Sequence, residues 1–327
     1  MTIDPGLLLY LTSLLTMGAL YGILCLGLNV QWGMTGLFNA GIAGFFAVGA
    51  YTAAILSTPA AASHLGGFAL PMPVGLVAAM ALSGGLGWAV GRICIRLKSD
   101  YLAIATIGIA EILRLVVRNE DAVTAGSLGI KNIPKPFEHF GPPSTDLAFL
   151  GVVVLVTALV YAFCQRIRHS PWGRTMRAIR DNETAASTFG KDVDAFRLQA
   201  FAIGSAIMGL GGALQAHYFK FLSPEATEPL LTTFLVWVML IAGGSGNNRG
   251  ALLGALLIWV LWSSTELLSG RLPEDWAVKL AYIRVLLIGF LLQLALRFFP
   301  GGLMPERVRS YGPGAPPISR SKHTNSD

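Results

Sequence analysis

Charge is what this chain of 327 residues has least of: Asp, Glu, Lys and Arg together make up 13% of it, about half the share found in a soluble globular domain. That scarcity excludes a soluble enzyme, a solvated disordered chain and a nucleic-acid binder. Cysteine is scarce too. Cys25, Cys94 and Cys164 lie in or beside apolar runs, without metal-ligand or redox-motif spacing, so no disulfide framework is implied. The five histidines are scattered and no H-E-x-x-H pair occurs, which removes the zinc site of an intramembrane metalloprotease. No G-x-x-x-x-G-K-[ST] phosphate loop exists, because Gly190-Lys191-Asp192 has Ala185 where the first glycine belongs. The run Gly243-Gly244-Ser245-Gly246-Asn247-Asn248-Arg249-Gly250 lacks the Lys and a preceding strand. It reads as a tight turn or helix break between two membrane segments. Met1–Asp4 carries no Lys or Arg before the first apolar run, so that run is read as a retained segment and not a signal peptide.

What is present is apolar. Hydrophobic residues make up 54% of the chain, and its 38 glycines sit inside the apolar runs, as they do in transmembrane helices. Mean hydropathy is +0.60. Stretches long enough to cross a bilayer, roughly 20 mostly apolar residues, lie near 7–28, 36–57, 70–91, 101–117, 147–165, 198–219, 229–243, 251–268 and 280–299. The runs are continuous and not alternating, which excludes a transmembrane β-barrel. The fold class expected is an all-α polytopic integral membrane protein, a bundle of about 8–10 transmembrane helices with some broken or re-entrant segments. Residues 1–303 form one membrane domain. Residues 304–327 have too little apolar surface to offset their ordering entropy and read as a disordered cytoplasmic tail.

Lys and Arg set the orientation. Sixteen of them fall in 92–100, in 165–197, at Arg249 and in the C-terminal stretch, against six in the alternate loops. The bias places those segments and the C-terminus in the cytoplasm and accounts for the net charge of +6. The Pro-rich segment 118–146 then faces the other side as an ordered or semi-extended loop. The side of the N-terminus depends on whether 36–57 and 229–243, which are Gly-rich or short, cross fully or break.

The most informative stretch is Ser170–Gly190. Ser170 followed by Pro171 is a helix start, and Gly190 a helix stop. Met176, Ile179, Ala186 and Phe189 fall at helical spacing on one face, with Arg174, Arg177 and Arg180 on another. Such an amphipathic pair either lies on anionic lipid or docks on a cytoplasmic subunit, and the residues alone leave both open. Within the spans, Glu111 and Arg114 stand at i, i+3 and can pair on one helix face. They read as a structural ion pair inside the bundle or as pathway residues, since charges at membrane depth are expensive. Asn29 and Asn39 sit in Gly-rich, breakable segments. There they serve either interhelical hydrogen bonding or a broken-helix site for a zwitterionic solute.

Glu183-Thr184-Ala185-Ala186, with Gly190 following, resembles the coupling motif of ABC importer permeases, with Thr184 inserted and Gly190 one residue further out than usual. Gly27-Leu-Asn-Val-Gln-Trp-Gly-Met-Thr-Gly36, Phe45–Thr52, Tyr101–Arg114, Ala213–Tyr218, Ser223-Pro224-Glu225, Gly243–Gly250 and Phe299–Leu303 resemble the LivM-type branched-chain amino acid permeases. One departure is Phe38-Asn39-Ala40-Gly41-Ile42, where that family often carries Ser-x-Gly-His. The resemblance implies a transport subunit that is not an enzyme, without cofactor or metal, in the bacterial inner membrane. It also implies a sister permease, two ATP-binding subunits and a periplasmic amino-acid-binding protein as partners. Arg177, Arg180, Glu183, Ala185, Ala186 and Gly190 become the candidate ATPase-docking set, and Asn29, Asn39, Glu111 and Arg114 the candidate pathway set. Branched-chain amino acids are the expected cargo, with urea, short amides or aromatic acids as the alternative. A self-sufficient secondary transporter is the rival; it needs several embedded acids for ion coupling, and only Glu111 lies well inside a span.

Overall fold

The computed structural model describes residues 5–60, 65–227, 229–269 and 301–306, with scattered positions between 286 and 299. The chain is a helical bundle. Its elements are α1 (Pro5–Leu28), α2 (Ile42–Ser57), α3 (Met72–Cys94), α4 (Ser99–Asn119), the single turn α5 (Asp121–Thr124), α6 (Ser144–His169), α7 (Pro171–Asp181), α8 (Glu183–Thr188), α9 (Val193–Phe219), α10 (Pro229–Gly243) and α11 (Asn248–Ser269). Eight of the nine expected spans coincide with helices; the ninth, 280–299, lies largely outside the described residues. Among the described residues, five helical stretches are long and apolar enough to cross a bilayer: Gly6–Gly33, Met72–Cys94, Ser144–His169, Val193–Phe219 and Pro224–Gly243.

Of the two segments suspected of breaking, the first does so, whereas 229–243 is one continuous helix. α1 runs on through a π-helical turn, Asn29–Gly33, and the chain then leaves helical geometry from Gly36 to Gly41 before α2 begins. At 16 residues α2 is about 24 Å long, short of the ~30 Å hydrocarbon thickness. α10 has 15 residues and is shorter still. Leu235, Val236, Trp237, Val238, Met239 and Leu240 are all buried while Phe234 is exposed, so the stretch 235–240 is covered all round, as a core helix is.

The centre of the bundle is α9, which packs on α2, α3 and α1. Small residues permit this. A Cβ on Gly49 would stand 2.1 Å from the carbonyl oxygen of Gly209, and one on Gly212 would stand 2.1 Å from that of Phe46. The backbones of α2 and α9 therefore meet with no room for a side chain, the close approach that glycine permits between membrane helices. The Pro-rich segment 118–146 is ordered. Ile130 and Lys131 pair antiparallel with Leu222 and Phe221, and Ile130 and Ile133 are fully buried beside Tyr51 and Ala216.

The tail departs from expectation at its start. Leu303 and Met304 donate backbone hydrogen bonds to Ala242 and Gly243, 2.9 Å each. Glu306 is 2.9 Å from Arg180. Met304–Glu306 thus belong to the packed domain and not to a free tail, because the turn after α10 offers them carbonyls and α7 offers a cation. Residues 307–327 lie outside the described residues.

Gly49→Val should disrupt the α2–α9 contact, at a cost of about 1–3 kcal/mol or more, since a backbone oxygen cannot move aside as a side chain can. Gly151→Ala, where nothing lies within 4 Å of the new Cβ, serves as the control. Thermal unfolding of the purified protein in detergent checks both; a Gly49→Val midpoint equal to that of Gly151→Ala would refute the packing argument.

Candidate functional site

The broken segment after α1 is held by side-chain amides. Asn39 accepts from the Gly41 N–H and donates to Gln31 Oε1, both at 2.8 Å. Gln31 donates through Nε2 to the carbonyl of Phe201 at 2.8 Å and to Ser205 Oγ at 3.2 Å. Trp237 Nε1 donates to the carbonyl of Asn39 at 3.1 Å, and its ring packs on Phe38 and Trp32 with centroids 4.2 and 4.6 Å away. The two short elements, 36–41 with α2 and α10, therefore meet at Trp237.

Asn29 anchors the other side. Its Oδ1 accepts from the Gly246 N–H at 2.8 Å, and its Nδ2 donates to Asn248 Oδ1 at 2.8 Å. Asn248 in turn donates to Gln165 Oε1 at 3.0 Å. Asn29, Gln31, Asn39 and Asn248 are all fully buried. The interhelical reading of Asn29 and Asn39 fits this geometry: each amide satisfies a donor and an acceptor within the bundle. The glycine-rich run 243–250 is a tight turn between α10 and α11. Gly244 and Gly246 adopt φ of +115° and +80°, and the Gly246 N–H is already committed to Asn29, so the run is not an open phosphate cradle.

α7 and α8 are set by caps. Ser170 Oγ accepts from the Gly173 N–H at 3.2 Å, and Asn182 Oδ1 accepts from the Ala185 N–H at 2.9 Å, each satisfying an orphan donor of a helix start. Gly190 reverses the chain at φ +74°. Met176, Ile179 and Ala186 are buried, Ile179 and Ala186 against Val193 and Phe196. The apolar face is thus covered by this chain itself, not by a partner. Phe189 is the exception and corrects the one-face expectation: it is 84% exposed, because α8 ends at Thr188 and turns Phe189 out of register.

The docking candidates divide accordingly. Glu183 is exposed and pairs with Arg197 at 2.8 Å. Arg177 donates to the carbonyl of Arg168 at 3.1 Å. Arg180 faces inward: it donates to the carbonyl of Gly33, closing on the π-helical turn, and pairs with Glu306. Ala186 is buried, while Ala185 is partly and Gly190 fully open.

Glu111 and Arg114 form the expected pair, with Arg114 Nε donating to Glu111 Oε2 at 2.9 Å. They are not packed inside this bundle. The Glu111 side chain is 41% exposed, on a face of α4 shared with Tyr101, Ile104, Ile112 and Leu115, all exposed. Only Leu102, Ala103, Thr106 and Ala110 of α4 are buried, so its remaining face is open in the isolated chain.

Gln31, Asn248, Glu306 and Phe189 were not singled out by sequence reasoning as functional. Glu306 had a signal: it is the one acid between Asp275 and Asp327.

Long apolar helices, a broken segment and an ordered helix pair between spans define a polytopic helical membrane protein in class. The sequence profile of the branched-chain amino acid transport system permease component family matches residues 10–296. The high-affinity branched-chain amino acid transport system permease protein LivM of Escherichia coli K12 is 33% identical over 315 residues, covering 89% of this chain and 69% of that protein. The probable LivM of Methanocaldococcus jannaschii is 29% identical, covering 88% and 91%. The corresponding LivH of E. coli K12 is 23% identical over 256 residues, covering 75% and 81%. No solved structure matches. This chain belongs to the branched-chain amino acid transport permease family, and within it is similar to the LivM type.

Asn29→Ala should cost about 1–3 kcal/mol by leaving the Gly246 N–H buried without a partner, whereas Asn119→Ala, at an exposed helix end, should cost little. Thermal unfolding of the two variants side by side checks this; equal midpoints would mean that the amide does not hold the break.

Proposed function

We propose that this chain is the transmembrane permease subunit of an ABC importer that carries leucine, isoleucine or valine across a bacterial inner membrane, with ATP hydrolysed by separate subunits. The observation that carries the reading is the α7–α8 pair. It is capped at both starts, packed on its own chain, and presents exposed Glu183, Phe189 and Gly190. A rigid helix pair with one fully exposed aromatic is the kind of anchor that dominates protein interfaces. Phe189 and the α8 surface are the docking element for an ATP-binding subunit. Arg177 and Arg180 serve behind it as positioning residues.

Arg180 supplies the link to the pathway. One guanidinium joins α7 to the Gly33 carbonyl and, through Glu306, to the turn after α10. A displacement of α7 by a docked ATPase is thereby passed both to the π-helical turn before the break and to the end of α10. The open face of α4, with a charged pair in mid-helix, suits a second permease better than lipid, where a half-exposed carboxylate is costly. That E. coli K12 has both a LivM and a LivH permease protein in a system of one name agrees with a heterodimer. Exposed Leu128, Phe137 and Phe140 on the external segment suit an amino-acid-binding protein. The Lys and Arg bias supports a cytoplasmic C-terminus.

The cargo follows the relatives' names and the lining. The buried interior is mainly aliphatic and aromatic, with Phe, Met and Trp237 beside Ala, Leu, Ile and Val, and among the described residues it holds no buried charged side chain. A sugar would leave hydroxyls unpaired there at about 1–3 kcal/mol each. Reconstituted with its partners, the chain should support ATP-dependent leucine uptake. Alone it should neither hydrolyse ATP nor accumulate leucine under an ion gradient. Transport of urea or an aromatic acid in place of leucine would overturn the cargo, and ion-driven accumulation by the isolated chain would overturn the ABC reading.

Phe189→Ala should weaken association of the ATP-binding subunit about tenfold or more and lower uptake, with unfolding temperature unchanged because the ring touches nothing that folds the chain. Co-purification at graded concentrations checks it; wild-type association would remove Phe189 from the interface.

A further inference from the structure

A cavity of about 950 Å³ opens where the end of α6, α7, the turn before α11 and residues 303–306 come together. Its wall carries Arg168, Arg174, Arg177, Arg180 and Arg249 against two carboxylates, Asp181 and Glu306. Glu306 is largely spent on Arg180 at 2.9 Å, with Arg168 at 3.9 Å. Among the described residues, the side chains of the other three arginines have neutral partners: Arg174 donates to the carbonyl of His169, Arg177 to that of Arg168, and Arg249 to the hydroxyl of Tyr161, at 3.1 to 3.3 Å. A guanidinium has five N–H donors, so each of the three keeps most of its donors, and its charge is not matched by a carboxylate of the described residues. Three like charges around one concavity repel one another unless an anion enters. Guanidinium forks match phosphate oxygens bidentately.

The cavity also has an apolar side, Leu303 and Met304, both exposed, and it lies where the apolar run of α6 gives way to Arg166–His169. That is the level of a lipid headgroup. We propose that this cavity binds the phosphate of an anionic phospholipid, with the arginines on the headgroup and Leu303 and Met304 along the start of an acyl chain. Basic pockets at the ends of membrane helices hold anionic headgroups in this manner. Assignment to the inner leaflet rests on the orientation proposed above. Binding in detergent does not, so the two can fail separately.

The test uses the assembled transporter in a neutral detergent and follows thermal unfolding with added phosphatidylglycerol, phosphatidylcholine or inorganic phosphate. Saturable stabilisation by phosphatidylglycerol, absent with phosphatidylcholine, is expected. Arg174→Gln combined with Arg249→Gln should weaken it about tenfold or more. Stabilisation by inorganic phosphate alone would keep the phosphate site and overturn the lipid as its source. Equal response to both lipids with none to phosphate would overturn the site. So would loss of the ATP-binding subunit from the double variant, which would give the arginines to an acidic protein surface. If the double variant fails to assemble for any other reason, the wild-type difference between the two lipids decides alone.

Discussion

Backbone that leaves helical geometry within a membrane domain must find its hydrogen-bond partners in the protein, because lipid offers none. Everything around residues 36–41 answers to that requirement. The Gly41 N–H goes to Asn39, the Ala40 N–H to Thr106 Oγ1 at 3.0 Å, and the Asn39 carbonyl to Trp237. The partners are amides, a hydroxyl and an indole, not ions. An amide both donates and accepts, so Asn29, Gln31, Asn39 and Asn248 can be chained between helices without the desolvation cost of a buried charge.

The chain of amides depends in turn on how near α1 and α9 come. A Cβ on Gly204 would meet Gln31 Cγ at 2.5 Å, and one on Gly27 would meet the Gly204 carbonyl at 2.8 Å. A side chain at Gly204 would expel Gln31 from its bonds to Phe201 and Ser205, and Asn39 would then lose its acceptor. Small-residue packing and the polar network are thus one device: the glycines bring α9 close enough for Gln31 to span the gap. Val236, Val238 and Met239, all buried, then close α10 over it.

How legible this was depended on the kind of signal. The spans were readable because twenty apolar residues have few other uses, and the break at 36–41 because glycine clusters inside such a run. Ser170-Pro171 marked the start of α7 correctly, since both the cap and the fixed proline φ act locally. Phe189 was misplaced because helical spacing was carried past Thr188, where α8 ends. Arg180 read as a surface docking charge because its partners, Gly33 and Glu306, lie 147 and 126 residues away, and sequence patterning carries no information at that range. The Glu111–Arg114 pair was visible from its i, i+3 spacing, but not its position on an open face, which depends on which side of α4 the rest of the bundle covers.

Arg180 explains why a guanidinium stands at this joint. It donates to the Gly33 carbonyl from Nη1 and meets Glu306 from Nη2, two contacts in fixed relative geometry that a lysine ammonium, a point charge on a flexible stem, does not define. Gly33 and Gly246 both lie against the joint. A Cβ on Gly246 would stand 2.6 Å from Glu306 Oε2, and one on Gly33 would stand 2.6 Å from the Gly246 N. The π-helical turn, the α10–α11 turn, the 301–306 segment and α7 are therefore joined by close backbone approach and by one planar cation paired with the Glu306 carboxylate. A short, stiff linkage of this kind transmits a displacement of α7, whereas a chain of surface side chains would absorb it. The same stiffness requires Met304–Glu306 to be ordered, which is why the domain extends past the last apolar residues and closes on the turn that it braces.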